Sequence, residues 1–460
     1  MLNRFRRIHF VGIGGIGMSG LAKVLFELGY EVSGSDKVDN FYIHKLREIG
    51  IRVFIGHKKT NIEDDVRLVI YSSSISFDNP ELTSAKERGI PILHRSEVLS
   101  FLFQSRIGIA VAGAHGKTTV SALLTHLLCE ANFSPTAIVG GWINQYDTNA
   151  WLGRGNFLVA ESDESDGSFT RLSPVYSIVN NVDFEHLDYY KNDINKIVKA
   201  YELFISRTRD MGCVFYCYDD PYLRKIMNRV PLRSISYGFS RESDVYPSNI
   251  VLNANQVEFE CIYLGNNVGS FNLQVPGRHN VLNAQVAIAF GRELNISWDK
   301  IKHALSSYEG TRRRFQIRKY EPVMVVDDYA HHPNEIKATL EAACTFKKNR
   351  IITVFQPHRY TRIFYLRDKF ADAFTLADKL LVTDIYSADE KPIKGVNGCM
   401  LYEEIVKKVG NAKDILFLKR EKIIPYLLNT VKKDDLVLIL GAGDITKVTD
   451  ELLRRLDIRC

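Results

Sequence analysis

Ile107-Gly-Ile-Ala-Val-Ala-Gly-Ala-His-Gly-Lys-Thr-Thr119 is an apolar run that ends in a glycine-rich turn and opens a helical pattern reaching about residue 130. Small and apolar residues up to Ala112, then glycines at 113 and 116, predict a buried strand, a tight turn and a helix in that order. Such a junction aims backbone amides and the positive end of a helix at one point, which suits phosphate. Lys117 would neutralise the β and γ oxygens of a triphosphate, and Thr118 would ligate magnesium. The longer Gly-x-x-x-x-Gly-Lys-Thr spacing would put its first glycine at 111, where this chain has Val111. A shortened phosphate loop is expected.

Outward from this loop, strands alternate with helices in both directions. Before it, residues 8–11 read as a buried strand, 18–28 as a helix, and 30–33, 68–71 and 90–93 as further strands. After it come strands at 157–160 and 175–179, then short alternating segments with Asn and Gly turns over 232–275. The latter read as antiparallel hairpins packed beside the second sheet. A helix over 280–293 closes this unit. Beyond Arg312, strands at 323–326, 350–355, 379–383 and 436–440 are separated by helical stretches. The pattern predicts an α/β protein of mostly parallel sheets with crossover helices, and 460 residues suit about three domains. The expected division is a Rossmann-like domain over 1–106, a central phosphate-loop domain with added β-hairpins over 107–311, and a Rossmann-like domain over 312–460.

Two other segments carry chemistry. Gly12-Ile-Gly-Gly-Ile-Gly17 follows the first strand with the Gly-x-Gly-x-x-Gly spacing. Gly12, Gly14, Gly15 and Gly17 would let a diphosphate approach the backbone, and Asp36 would contact a ribose hydroxyl. A dinucleotide, a UDP-sugar and an empty turn all fit this spacing. Glu161-Ser-Asp-Glu-Ser-Asp166 follows the strand at 157–160, and Asn180-Asn-Val-Asp-Phe-Glu-His186-Leu-Asp188 follows the strand at 175–179. A solvated acidic loop is the plain reading. Both segments nevertheless lie at the carboxyl edge of a parallel sheet, where ligands bind, so Thr118, Glu161 and His186 are candidates to share one Mg²⁺.

Charge and composition exclude little but exclude usefully. Sixty Lys and Arg against fifty-four Asp and Glu leave +6 over a large surface, with no concentrated basic stripe for nucleic acid. No apolar window is long enough for a membrane span, and the first residues lack the apolar core of a secretory signal. The seven cysteines are scattered without zinc-ligand spacing, which suits a reducing cytoplasm. Small-molecule partners, no nucleic acid, no membrane, and a monomer or homodimer are expected.

Taken together, the motifs resemble the Mur ligase family over nearly the whole chain. The carriers are Gly12-Ile-Gly-Gly-Ile-Gly-Met-Ser19, Gly113-Ala-His-Gly-Lys-Thr-Thr119 and Glu161-Ser-Asp-Glu-Ser-Asp166, followed by Gly277-Arg-His-Asn-Val-Leu-Asn283. Arg312-Arg-Arg-Phe315, Asp327-Asp-Tyr-Ala-His-His-Pro333 and Phe355-Gln-Pro-His-Arg-Tyr-Thr-Arg362 complete the order. The resemblance implies UDP-binding, ATPase and amino-acid-binding domains with ATP and Mg²⁺ as cofactors. It implies that Gly113, Ala114, His115, Gly116, Lys117, Thr118 and Thr119 hold ATP phosphates. His279, Asn280 and Asn283 would contact the nucleoside, and Arg314 and Asp328 would reach ATP from the third domain. Lys117, His186 and Arg314 would be the catalytic groups, with Thr118, Glu161 and His186 on the metal. Tyr329, His358, Arg359 and Arg362 would orient the amino acid. The turn from Gly12 to Gly17, with Ser72 and Ser73, would hold the UDP-sugar.

The activity implied is ATP-dependent joining of L-alanine to the carboxylate of UDP-N-acetylmuramate through an acyl phosphate, as in peptidoglycan precursor synthesis. Glu161-Ser-Asp-Glu-Ser-Asp-Gly-Ser-Phe169 favours alanine over an intact tripeptide as acceptor. An NAD-dependent dehydrogenase would leave Lys117 and the acidic segment unused. Read alone, Asn280 and Asn283 would cap a helix and Arg312 to Arg314 would be a solvated linker. His331 and His332 are assigned to no metal, since adjacent residues seldom turn both rings to one ion. Some relatives use a carbamylated lysine near the metals; Ala200 stands at that place here, beside Lys199, so that feature is not carried over.

Overall fold

Apolar runs too short for helices become the inner strands of three separate sheets in the computed structural model, which describes residues 4–185, 189–191, 193–254, 256–410 and 414–459. In the first sheet the order is Arg52–Ile55, Glu31–Asp36, Arg7–Val11, Leu68–Tyr71, Ile92–His94, all parallel. The order reverses at Arg7–Val11, and the glycine turn leaves the sheet at that point, where open α/β sheets form their crevice. Gly34 makes the close packing there possible. A Cβ on it would lie 2.6 Å from Ile13 Cδ1 and 2.7 Å from the Phe10 carbonyl oxygen. Gly34→Ala is therefore expected to destabilise the protein by about 1–3 kcal/mol, read as a lowered Tm in thermal melts.

The middle sheet has ten strands, with the phosphate-loop strand Ile107–Ala112 between Tyr176–Val179 and Phe157–Glu161, all three parallel. One side continues through Thr136–Ile143 to the antiparallel Thr148–Trp151. The other runs through Cys213–Cys217 and Ser234–Tyr237 to Val245–Leu252, Val257–Tyr263 and Asn266–Leu273. Here the structure corrects the sequence reading. The hairpins do not pack beside the sheet but extend it, joined through the pair Tyr237–Val245, because an exposed strand edge offers unpaired amides and carbonyls to the next strand. The third sheet runs Gln316–Lys319, Met324–Asp328, Leu436–Leu440, Ile351–Phe355, Lys379–Val382, Asp414–Phe417, parallel except for its antiparallel first edge.

The cores divide unevenly. One continuous apolar cluster joins the first sheet to the middle one, and helix Ile16–Glu27 packs on the hairpin Thr136–Ile143/Thr148–Trp151. Lys23 Nζ seals this seam, donating to the Ala150 carbonyl at 2.7 Å and to Thr148 Oγ1 at 3.0 Å. The third sheet has separate clusters on its two faces. Two domains thus behave as one block, and the third meets it across a more polar seam. No helix among the described residues is long and apolar enough to cross a membrane.

Candidate active site

Two glycines set the phosphate loop. Gly116 has φ +81° and Gly113 has φ +135°, and a Cβ on Gly113 would press on the Asn180 and Asn181 amides at 3.1 Å. Helix Lys117–Glu130 opens at Gly116 without a side-chain cap, so the amides of its first turn can serve an anion. Asn180 and Asn181 brace the loop from the neighbouring strand end. His115 N donates to Asn181 Oδ1 at 2.8 Å, and the His115 carbonyl accepts from Asn180 Nδ2 at 3.1 Å and Asn181 Nδ2 at 3.2 Å.

Lys117 is folded back on this loop. Its Nζ donates to the Gly113 carbonyl at 2.6 Å and to both oxygens of Glu164 at 2.9 and 3.0 Å. Burial opposes the charge of Lys117, yet the Glu164, Asp163 and Glu161 carboxylates outweigh it and hold the pKa above the ordinary lysine value. Glu161 ends its strand against Gly140, whose N–H donates to Oε1 at 2.7 Å. Ser121 Oγ bonds both the Thr118 carbonyl, at 3.1 Å, and Glu161 Oε1, at 3.2 Å. Arg314 Nη2 reaches Thr118 Oγ1 at 3.4 Å from the other side of the seam. Lys117, Thr118, Glu161 and Arg314 therefore surround one spot. His186 lies outside the described residues.

Beside it is a cavity of about 220 Å³, lined among others by His115, Gly116, Thr119, His279, Asn280 and Arg314. Asn283 and Asp328 line it as well. Asn280 Nδ2 donates to the Pro276 carbonyl at 2.7 Å, and Asn280 Oδ1 accepts from Asn283 Nδ2 at 3.0 Å. Asn283 Oδ1 would lie 3.1 Å from a Cβ on Gly116, so the pair faces the loop. Asp328 is raised to about 6 by burial, against the pull of Arg314. Its oxygens accept from Phe315 N at 2.5 Å and Ala330 N at 2.6 Å. Ala114 contributes backbone, its amide bonding the Asn181 carbonyl at 3.3 Å.

A third group lies farther along the seam. Arg362 Nη2 donates to Glu185 Oε2 at 2.8 Å and Nη1 to His358 Nδ1 at 2.9 Å. The His358 ring stacks on Tyr386 at 5.7 Å. His331 Nδ1 donates to the Tyr329 carbonyl at 3.0 Å, which leaves Nε2 as the acceptor of a neutral ring. Arg359 opens the next helix at φ +66°, an uncommon conformation for a residue with a side chain and a frequent mark of functional sites.

At the first domain, the glycine turn is braced rather than open on every side. Asp36 Oδ2 accepts from Gly14 N at 2.8 Å, and Asn40 Nδ2 donates to the Gly14 carbonyl at 3.2 Å. Ser72 Oγ would lie 3.5 Å from a Cβ on Gly12, and Arg95 Nη1 3.7 Å from one on Gly17. Gly15 packs over Gly12 and Met18. Ser73 Oγ bonds His94 Nε2 at 2.9 Å and also Asp166, while Arg95 Nη2 bonds Asp163 Oδ2 at 3.2 Å. The acidic segment therefore works in two directions: Glu161 and Glu164 face the phosphate loop, and Asp163 and Asp166 tie that loop's domain to Arg95 and Ser73 of the first domain.

Three descriptions match the chain in succession: the Mur ligase family catalytic domain over residues 7–106, the Mur ligase middle domain over 111–291, and the Mur ligase glutamate ligase domain over 313–443. The chain belongs to the Mur ligase family. It is 42% identical to the UDP-N-acetylmuramate–L-alanine ligase of Sulfurihydrogenibium sp. (strain YO3AOP1) over 98% of both chains. It is 44% identical to the ligase of the same name from Carboxydothermus hydrogenoformans, over 97% of this chain and 96% of that one. Among solved structures, the UDP-N-acetylmuramate–alanine ligase of Thermotoga maritima superposes with a TM-score of 0.85 at 30% identity, covering 99% of this Mur ligase and all of that protein.

Several residues of this Mur ligase site have no local sequence signature. Glu164 was one acid among four, and Asn180, Asn181, Asp183, Arg95 and Glu335 were not singled out. Glu335 had a faint signal, lying three residues after His332 as a capping-box partner does. Among the described residues, His115, Asp183 and His332 also bring one ligand atom each within 4.8 Å of one another. Both His115 nitrogens face carboxylates, so the ring is an imidazolium, which repels a cation.

The histidines give a pH signature. Burial lowers His126, His279, His331 and His332 to about 4, from an ordinary 6.5. Between those values the unfolded chain binds more protons than the folded one, so stability falls as pH falls from about 6.5 to about 4. Tm should drop over this window in thermal melts; a Tm that rises on acidification would contradict the burial of these rings.

Proposed function

We propose that this Mur ligase joins L-alanine to the carboxylate of UDP-N-acetylmuramate, converting ATP to ADP and phosphate, in the cytoplasm. The observation that carries the reading is convergence. The acidic segment beside the phosphate loop of the middle domain is tied through Asp163 and Asp166 to Arg95 and Ser73 of the first domain, and Arg314 reaches Thr118 from the third. We assign residues 1–106 to the UDP-sugar, 107–311 to ATP and 312–460 to the amino acid.

A carboxylate is a poor acyl donor because its leaving group is oxide. Its oxygen therefore attacks the γ-phosphorus, the bond to ADP breaks, and an acyl phosphate forms. Lys117 exchanges Glu164 for the γ-phosphate, and Lys117 and Arg314 stabilise the charge of the transferring group. Thr118 and Glu161 offer the hard oxygen donors that Mg²⁺ prefers, a hydroxyl and a carboxylate, with Ser121 Oγ bridging the Thr118 carbonyl and the Glu161 carboxylate, and His186 is assigned with them. When bound, Mg²⁺ would neutralise the phosphate oxygens. The neutral amine of alanine then attacks the acyl carbon and phosphate leaves, the amine proton passing to phosphate or solvent. Arg359 and Arg362 match the alanine carboxylate, because guanidinium forks pair with it bidentately. Tyr329 and His358 are assigned to the same group. His279, Asn280, Asn283 and Asp328 hold the nucleoside and its phosphates.

Phosphate release from ATP, measured with UDP-N-acetylmuramate and a panel of amino acids and the tripeptide, tests this. Release with alanine supports the reading. Release with the tripeptide alone would identify a recycling ligase, and release independent of any acceptor would sink the ligase reading.

A further inference from the structure

The ring of His115 spans the seam between the two-domain block and the third domain. Nε2 faces Asp183 Oδ2 at 3.0 Å, and Nδ1 faces Glu335 Oε1 at 3.1 Å. Asp183 follows the strand Tyr176–Val179 of the middle sheet; Glu335 sits in the first turn of helix Pro333–Cys344, beyond the seam. Burial alone would lower the His115 pKa, but the hydrogen bonds to Asp183 and Glu335 raise it to about 10. Among the described residues, Glu185, His331, His332, His279, Arg314, Arg362, Asp328 and Asp220 are the other charged or titratable groups that face this ring and its two carboxylates.

Each end of the bridge is fixed. Glu335 Oε2 accepts from His331 N at 3.1 Å and His332 N at 3.3 Å, closing the helix cap, which leaves Oε1 for His115. Asn334 Nδ2 donates to Asp183 Oδ2 at 2.7 Å, and the His332 ring lies 4.7 Å from the His115 ring. The start of one third-domain helix is thus pressed on two middle-domain residues. On the other side, the His115 backbone is clamped by Asn180 and Asn181, so the ring can hold this place only while the phosphate loop keeps its shape. Among the described residues, the third domain shares no apolar cluster with the block. Polar contacts such as this one therefore decide how firmly it sits.

We infer that His115, a cation shared between Asp183 and Glu335, is a positioning residue that closes the third domain over the phosphate loop and so couples nucleotide binding to assembly of the amino-acid site. The inference rests on the ligase reading for its kinetic consequence but not for closure itself. Glu335→Gln and His115→Gln keep the size of the side chain and remove the charge pair. With Glu335→Gln, the affinity for a non-hydrolysable ATP analogue, measured by calorimetry without sugar or alanine, should stay within about threefold, while with either variant kcat falls about 10- to 100-fold and the alanine KM rises. The double variant should be no worse than the worse single one, since both remove the same interaction. Small-angle scattering supplies a readout free of chemistry: the wild type should contract on adding the analogue with Mg²⁺, and the variants should not. If Glu335→Gln contracts as the wild type does, or loses analogue affinity in step with kcat, or if the two losses add, the coupling role is overturned. Should His115→Gln melt early, the Glu335→Gln measurements decide alone. A wild type that contracts but releases no phosphate with alanine would refute the ligase reading and leave this one standing.

Discussion

Lys117→Ala should reduce kcat on the order of 10³-fold or more while UDP-N-acetylmuramate binding changes by less than about threefold. Whereas Arg314 approaches from Thr118, the Lys117 ammonium lies against Glu164 and the Gly113 carbonyl. Its loss removes charge stabilisation at the moment negative charge spreads over the transferring phosphoryl group, in a site where burial makes that charge costly. The sugar is assigned to the glycine turn of the first domain, which Lys117 does not touch. The variant also deprives buried Glu164 of its lysine partner. Breaking a buried pair costs about 3–5 kcal/mol, so a thermal melt must accompany the assay. Lys117→Met, which fills similar space, separates folding from chemistry. Loss of sugar affinity together with turnover would refute the division of labour between the domains.

Apart from Arg52–Ile55, Cys213–Cys217 and Asp414–Phe417, most parallel strands were legible, as apolar runs flanked by glycine or polar turns in Ile107–Ala112, Met324–Asp328 and Leu436–Leu440. Strand Thr136–Ile143 was not. Gly140 and Gly141 interrupt its apolar run, yet glycine is needed there: a Cβ on Gly140 would collide with the Glu161 carboxylate, and one on Gly141 with Thr118. The chemistry of the site thus hid the strand beside it. Edge strands such as Gln316–Lys319 are polar and short, so no period marked them. In the hairpins, alternation was visible, but what their free edge would pair with was not.

The site divided along the same line. Backbone-set features, namely the phosphate loop and the glycine turn, follow from local spacing. Contacts across the seam, such as His115 with Glu335 or Arg362 with Glu185, join residues far apart in the chain and have no spacing to read. The acidic segment shows the limit most clearly. Four acids within six residues suggested solvation, but Glu164 is 2% exposed, and that burial becomes intelligible only once Lys117 is found against it.

Arg314→Ala should lower kcat about 10²- to 10³-fold and shift the ATP KM by less than about tenfold, because its backbone is held so that the side chain projects into the reacting centre. Arg313 and Phe315 on either side both have positive φ, 59° and 44°, a strained pair that persists only where surroundings enforce it. Arg313 is tied to the Gly441 and Gly443 carbonyls, and Phe315 N to the buried Asp328. Between these anchors Arg314 projects to Thr118 Oγ1, its guanidinium 5.2 Å over the Tyr329 ring. One side chain thereby touches the proposed metal-ligating hydroxyl and packs against the proposed amino-acid pocket, so phosphoryl transfer and acceptor placement share a single group. Arg314→Lys should recover only part of the rate, since an ammonium keeps the charge but loses the planar fork that contacts both. If Arg314→Ala turned over within threefold of the wild type, the strain on either side of it would serve the fold alone, and the charge on the transferring group would have to be met entirely from the middle domain.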